Sequence, residues 1–336
     1  MTNLTRRTFG KGAIGLSAAA FAGFGPAQAQ ALKSFTVTEP VHSIDSLPFY
    51  AAIKNGYFKE AGLDLTLITT EGGGKHIAAV LAGDAQAYIG GPEHIAFVLA
   101  KGGEQLKAVV ALSNRANAFL VARTGVEVPE GVPFLEQIRG KKIGVGTRGG
   151  TGYSIMLYLL ENAGMDPRSD VTLVEIANEA GQLAAMQAGA VDMAMVTEPM
   201  ITKGVQEGIW LPPFASMPKE LGLFAWTTLN VPQTLIGSDP ALVQAMVNAT
   251  LKGLAYVTSD PEGARTIARE EFPTLPPADL EAMLVNTMEN DMWQSDGAIP
   301  PEAWDKTKSI VTIAGLLKED VPYENVFDPQ FMSAAG

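Results

Sequence analysis

The chain has 336 residues, of which 47% are hydrophobic and 18% charged, a balance that excludes a disordered polypeptide and leaves room for two domains of ordinary size. Thirty-six acidic residues against 24 basic ones give a formal charge of −12, which repels phosphate backbones and anionic membrane and argues against a nucleic-acid partner. No cysteine is present, which excludes disulfides, thiolate metal sites, cysteine nucleophiles and a lipid-anchored N-terminal cysteine.

In chain order, the first segment is a leader. Residues 5–11, with Arg6 and Arg7, resemble the twin-arginine export signal; a weakly apolar stretch to about Phe24 follows, then Ala27-Gln28-Ala29, which fits the small-residue cleavage rule. A signal peptide over residues 1–30 is therefore expected, and its loss removes Arg6, Arg7 and Lys11 and leaves a formal charge of −15. No later run reaches about 18 uninterrupted apolar residues, so the expectation is a free periplasmic protein that is not membrane-embedded.

Residues 35–38 read as a strand that bends through Glu39-Pro40-Val41-His42-Ser43 into a helix near Ser46, with Pro48 early in it. Residues 63–69 alternate like a strand, 75–82 form a short helix stopped by Gly83, 87–90 a buried strand, 94–100 a helix and 106–112 a strand. The plan then repeats: strand 142–145, helix 152–163, strand 171–176, helix 179–188 and strand 191–196. Residues 71–93 and 177–199 echo each other directly, with Ala78, Ala79 and Gly83 returning as Ala184, Ala185 and Gly189, 106 positions on. Two copies are too few for a solenoid, so the pattern predicts a two-lobed α/β protein with mostly parallel sheets. Residues 113–118 and 222–230 lack helical periodicity and read as the two crossings. Helical patterns at 239–257 and 261–270, with Ser238, Asp239 or Asp260 as caps, are expected to pack back on the first lobe. Lobe one is thus expected at 32–115 and 228–336, and lobe two at 116–227.

Several stretches resemble one family. Residues 47–64 (LPFYAAIKNGYFKEAGLD), 138–145 (IRGKKIGV), 187–192 (QAGAVD), Glu198-Pro199 and 242–254 (LVQAMVNATLKGL) are similar in order and spacing to the periplasmic binding proteins that serve ABC importers of nitrate, aliphatic sulfonates, taurine and thiamin pyrimidine precursors. The resemblance covers essentially the whole mature chain. It implies the type II periplasmic binding protein fold, two lobes closing by hinge motion on a small-molecule solute, and as partners an ABC permease and its ATPase. It implies no cofactor, no catalytic residue and no metal, in a protein expected to be a monomer and not an enzyme.

Ligands of parallel sheets collect beyond the carboxyl ends of the strands. Six loops lie there, at residues 42–46, 71–75, 91–94, 147–153, 178–179 and 197–198. The expected ligand-binding residues are His42, Ser43, Asp45, Glu71, Gly73, Pro92, Glu93, His94, Asn117, Thr147, Arg148, Gly150, Thr151, Tyr153, Glu198 and Trp226. The glycine-rich turn 146–153 opens a helix, so its N–H groups form an anion receptor to which Arg148 could add a fork for carboxylate or sulfonate. The same turn can also be read as a flexible loop with a solvated arginine, and Gly144, Gly146 and Gly149 spell a weak dinucleotide fingerprint. His42, His76 and His94 end consecutive strands of lobe one near Asp45, Glu71 and Glu93, which suits polar loop contacts more readily than a metal site. Trp226 and Tyr153 could stack on a ligand or belong to the core. The glycine turn and Arg148 favour a small organic acid such as a sulfonate or carboxylate. The many carboxylates favour a nitrogenous solute, such as a pyrimidine thiamin precursor or a taurine-like zwitterion, with a metal ion a lesser alternative and an exported nucleotide-dependent oxidoreductase a remoter one.

Overall fold

The two copies of the sequence echo fold alike. In the computed structural model, which describes residues 31–70, 74–294 and 296–332, the first copy holds β1 (Lys33–Glu39), β2 (Leu63–Thr69) and β3 (Ala87–Gly90), with β1 central and parallel to both neighbours. β4 (Leu106–Ser113) ends this half, and the chain crosses to β5 (Phe119–Ala122), β6 (Lys142–Val145), β7 (Thr172–Glu175), β8 (Met193–Val196) and β9 (Ala215–Ser216). It returns as β10 (Thr227–Pro232). The orders are β2-β1-β3-β10-β4 and β7-β6-β8-β5-β9, so the sequence duplication appears as a duplicated strand order.

Each five-stranded sheet carries one strand against the grain. β10 lies antiparallel between β3 and β4, and β5 antiparallel between β8 and β9. Both are the strands that bring the chain in from the other sheet. The sequence reading missed β5 and β9 and treated β10 as part of a crossing: β9 is two residues long, and β5 and β10 follow the crossings, outside the strand–helix rhythm that reveals the equally buried β3 and β8. β2, at an edge, alternates in burial and is legible for that reason.

Most helices sit where periodicity puts them, among them Leu47–Lys54 with Pro48 in its first turn, Lys75–Leu81, Glu93–Ala100, Thr151–Asn162 and Glu179–Gln187. Asn178 caps the last of these by accepting from the Gly181 N–H, and Asp239 and Asp260 cap Pro240–Ser259 and Pro261–Glu271 in the same way. Pro240–Ser259 packs so closely on Leu47–Lys54 that a Cβ at Gly253 would lie 2.0 Å from the Pro48 carbonyl oxygen.

The C-terminal helices do not all pack on the first sheet. Pro277–Glu289 reaches Met200–Gln206 of the second half, and Pro301–Ile313 lies along Thr151–Asn162. The reason is a split apolar surface: Ala303, Trp304 and Val311 enter a cluster with Tyr88 and Leu106, whereas Ile310 enters the core of the second sheet. Among the described residues no helix is long and apolar enough to cross a membrane. The leader expected over residues 1–30 lies outside the described residues.

Candidate functional site

Three carboxyl groups lie beyond the carboxyl ends of their strands, Asp45 after β1, Glu179 after β7 and Glu198 after β8, and the charges of Glu198 and Asp45 are felt at Glu179. Asp45 is 7% exposed and sits in a short helical turn, Ile44–Ser46. Its two oxygens accept from the Asn117 side-chain amide at 2.5 Å and from the Trp226 indole N–H at 2.8 Å. Those donors stand on the two crossings, so one carboxylate ties both hinge segments to β1. Burial holds its pKa above the ordinary carboxylate value, against the hydrogen bonds from Trp226, Asn117 and Ser43.

Glu179 opens the helix Glu179–Gln187 and accepts from the Thr197 N–H at 2.8 Å. Burial is the main reason its pKa rises to about 7; bonds from Thr197 oppose the rise, and the charges of Glu198 and Asp45 add to it. Glu198, 3% exposed, precedes Pro199 through a cis peptide and accepts from the Thr202 N–H and hydroxyl, both at 3.1 Å. Its Oε1 also accepts from the Asn286 side-chain amide at 3.0 Å, and burial likewise raises its pKa. Three carboxyls whose pKa values burial raises, drawn from both sheets, form the candidate site.

A second meeting point lies beside β3. Glu93, 5% exposed, starts the helix Glu93–Ala100 after the buried Pro92, and its Oε1 accepts from the Thr151 hydroxyl of the second half at 3.3 Å. His94 turns Nδ1 towards the Gly91 carbonyl at 3.1 Å, and its ring stands edge-on to His76, with centroids 5.4 Å apart.

The remaining expected residues, and Ser43 and Trp226 besides their bonds to Asp45, have partners of their own. His42 is held within lobe one, with Nδ1 3.0 Å from Glu39 Oε1, Nε2 3.3 Å from Glu271 Oε2 and its ring stacked on Tyr50. The Ser43 N–H donates to the Tyr50 hydroxyl at 3.2 Å. Arg148 is 72% exposed; its backbone N–H donates to Glu175 at 2.9 Å, its Nε is 3.4 Å from the same carboxylate, and its guanidinium carbon lies 5.4 Å from the centre of the Tyr153 ring. Thr147 is exposed and accepts the Gly150 N–H at 2.8 Å, closing the turn before the helix. Tyr153 is buried in the second core, and Trp226 is half-buried against it. Glu71 and Gly73 lie outside the described residues. Among the described residues no cluster of three or more histidine, aspartate or glutamate side chains is arranged to hold a metal ion. Sequence reasoning passed over Asn286, which lies 88 residues beyond Glu198 and carries no local signal, and counted Glu179 among the cleft carboxylates without naming it a ligand-binding residue.

A depression of about 690 Å³ lies behind the hinge, lined by Arg115, Met288, Trp293 and Asp296 among others, and none of the three central carboxylates borders it.

Known proteins resemble this chain in sequence and in fold. The chain is 26% identical over 305 residues to the putative binding protein YtlA of Bacillus subtilis, an alignment covering 90% of each chain. It is 24% identical over 304 residues to the riboflavin-binding protein RibY of Chloroflexus aurantiacus, covering 87% of this chain and 84% of RibY. The crystal structure of the periplasmic aliphatic sulphonate binding protein SsuA from Escherichia coli superposes with a TM-score of 0.71 at 14% identity, over 89% of this chain and 93% of SsuA, which establishes a shared fold. With its duplicated sheets and two crossings in that company, and with the NMT1/THI5 like family model matching residues 43–264, more than half of its length, the chain belongs to the NMT1/THI5 like family.

Proposed function

We propose that the chain is the solute-binding component of an ABC-type importer, working in the periplasm after twin-arginine export, and that its solute is a small nitrogenous compound offering N–H groups. The lobes are assigned as residues 32–115 with 228–336, and 116–227. The carrying observation is the group formed by the buried Asp45 and Glu198 with the partly buried Glu179, drawn from both halves. Buried carboxylates repel one another and lose hydration, a cost that a solute with N–H donors or a positive charge relieves and an anionic solute worsens. The cation first considered for an organic acid, Arg148, is exposed and engaged by Glu175. Trp226 beside Asp45 supplies a flat face suited to a heterocycle. The likeness to proteins named for binding supports a receptor over an enzyme.

In this reading, the mechanism is closure. The crossings at Asn117 and Trp226 both hold Asp45, so a solute that engages this carboxylate from one side and Glu179 or Glu198 from the other draws the halves together. A permease then receives the closed form, and no bond is made or broken.

A second reading has one observation in its favour: the first turn of the helix Thr151–Asn162, which has no side-chain cap, presents N–H groups suited to a sulfonate or carboxylate. Calorimetric titration with aminopyrimidines, flavins, primary amines, alkanesulfonates and small carboxylates separates the two. Binding confined to the nitrogenous compounds is expected; binding confined to the anions overturns the proposal. A true solute at about 100 times its dissociation constant should stabilise the protein by roughly 2.7 kcal/mol.

A further inference from the structure

We infer that His76, Tyr88, Glu93 and His94 wall a buried subsite for an uncharged part of the solute that carries a hydrogen-bond donor and acceptor side by side, such as an amide or amino-heterocycle edge. The inference rests on the nitrogenous reading and deepens it. His76 is 2% exposed and Tyr88 fully buried, and among the described residues neither imidazole nitrogen nor the phenol hydroxyl has a hydrogen-bond partner. Glu93 Oε2 is buried without a partner as well, although Oε1 of the same carboxylate is met by Thr151.

The side chains that carry these atoms lie close together. The His76 ring centroid is 5.4 Å from that of Tyr88 and 5.4 Å from that of His94, and the Glu93 charge is felt at the Tyr88 hydroxyl. Folded proteins rarely leave even one buried polar atom unsatisfied, because each forfeits its hydration for nothing. Among the described residues Asn55, Asn114, Arg123, Gln137 and Gln182 each leave one such atom, so the convergence of four beside β3 is what calls for a ligand.

The backbone is adapted to the approach. A Cβ at Gly91 would lie 2.1 Å from Glu93 Oε2, so only glycine lets the carboxylate fold back over the β3 loop, and a Cβ at Gly90 would lie 3.4 Å from His76 Nε2. The pocket opens towards the other half, since Glu93 is the residue that Thr151 touches and His94 is half-exposed.

The chemistry selects the group. Burial, with a contribution from His94, lowers the His76 pKa to about 4, so the imidazole is neutral and offers one donor and one acceptor. Burial, then the Glu93 charge, keeps the Tyr88 phenol protonated and able to donate or accept. The Glu93 carboxylate takes a donor. A neutral edge with N–H beside a ring nitrogen or carbonyl satisfies this set, whereas a sulfonate would face Glu93 with no cation to balance it.

The test uses 4-aminopyrimidine, pyrimidine and methanesulfonate on the full mature chain and its Tyr88→Phe and Glu93→Gln variants, by calorimetry and thermal melting. Wild type should bind 4-aminopyrimidine about tenfold or more tightly than pyrimidine, the margin of a satisfied buried donor. Tyr88→Phe should melt, without ligand, at or above the wild-type temperature and yet lose that margin, and Glu93→Gln should lose it too. A purely structural tyrosine would instead lower the melting temperature and leave the margin alone. Variants that keep the full margin overturn the subsite while the nitrogenous reading stands. Failure of wild type to bind 4-aminopyrimidine at millimolar concentration overturns the subsite as well, and if methanesulfonate alone binds, the nitrogenous reading falls with it.

Discussion

His42 carries the sharpest quantitative expectation. Its imidazole lies between Glu39 and Glu271, on the face of Tyr50 and near Phe272, and it joins β1 to the helix Pro261–Glu271. Burial works against its charge, but the hydrogen bonds and charges of Glu271 and Glu39 outweigh burial and raise its pKa from 6.5 to about 9. Taken at face value such a rise is worth roughly 3 kcal/mol; for a side chain still 31% exposed, solvent screening brings this to about 1–2 kcal/mol. The folded pKa lies above the unfolded one, so the stabilisation is complete below about pH 6.5 and is lost as the pH climbs through 9. Glu271, whose pKa is lowered chiefly by its bond to His42, adds a contribution that disappears at the acid end instead. Urea denaturation of wild type and His42→Gln at a series of pH values measures the difference: the variant should be less stable by about 1–2 kcal/mol near pH 6 and no less stable near pH 10. Solute affinity should change little, because the imidazole is engaged within one half. Stability profiles that run parallel across the whole range would refute the ion-pair account.

Glu179→Gln keeps an acceptor for the Thr197 N–H and removes a charge from the carboxyl group; since the wild-type pKa is raised to about 7, the variant should be more stable above pH 7 by about 1–3 kcal/mol, unchanged near pH 4, and weaker for a cationic solute. Equal wild-type and variant melting temperatures at pH 8 would contradict it. Gly253→Ala drives a methyl group into the Pro48 carbonyl and should cost about 2–3 kcal/mol in chemical denaturation, whereas Gly237→Ala, where a Cβ meets nothing within 4 Å, should be neutral or slightly stabilising. A harmless Gly253→Ala would mean that the two helices can separate freely.

What the sequence shows and what it hides follow from the range of the forces. The strand β2 and the helices Lys75–Leu81 and Glu179–Gln187 declare themselves through periodicity and local caps, and the duplicated strand order follows from a repeat visible by eye. β5 and β10 stay hidden because they follow the crossings rather than a helix, outside the strand–helix rhythm that reveals the equally buried β3 and β8, and their antiparallel sense is set by where the chain re-enters a sheet. The site divides in the same way. Asp45 and Glu198 lie in loops that topology alone places beyond strand ends, but their partners Trp226 and Asn286 are 181 and 88 residues distant. Arg148 shows the cost of reading charge without partners: a glycine-rich turn with one arginine spells an anion receptor, until Glu175, 27 residues on, proves to hold that arginine. With Arg148 held by Glu175, the proposed solute is the nitrogenous one rather than the anion, because Asp45, Glu179 and Glu198 are the charged groups that strand topology places beyond the strand ends.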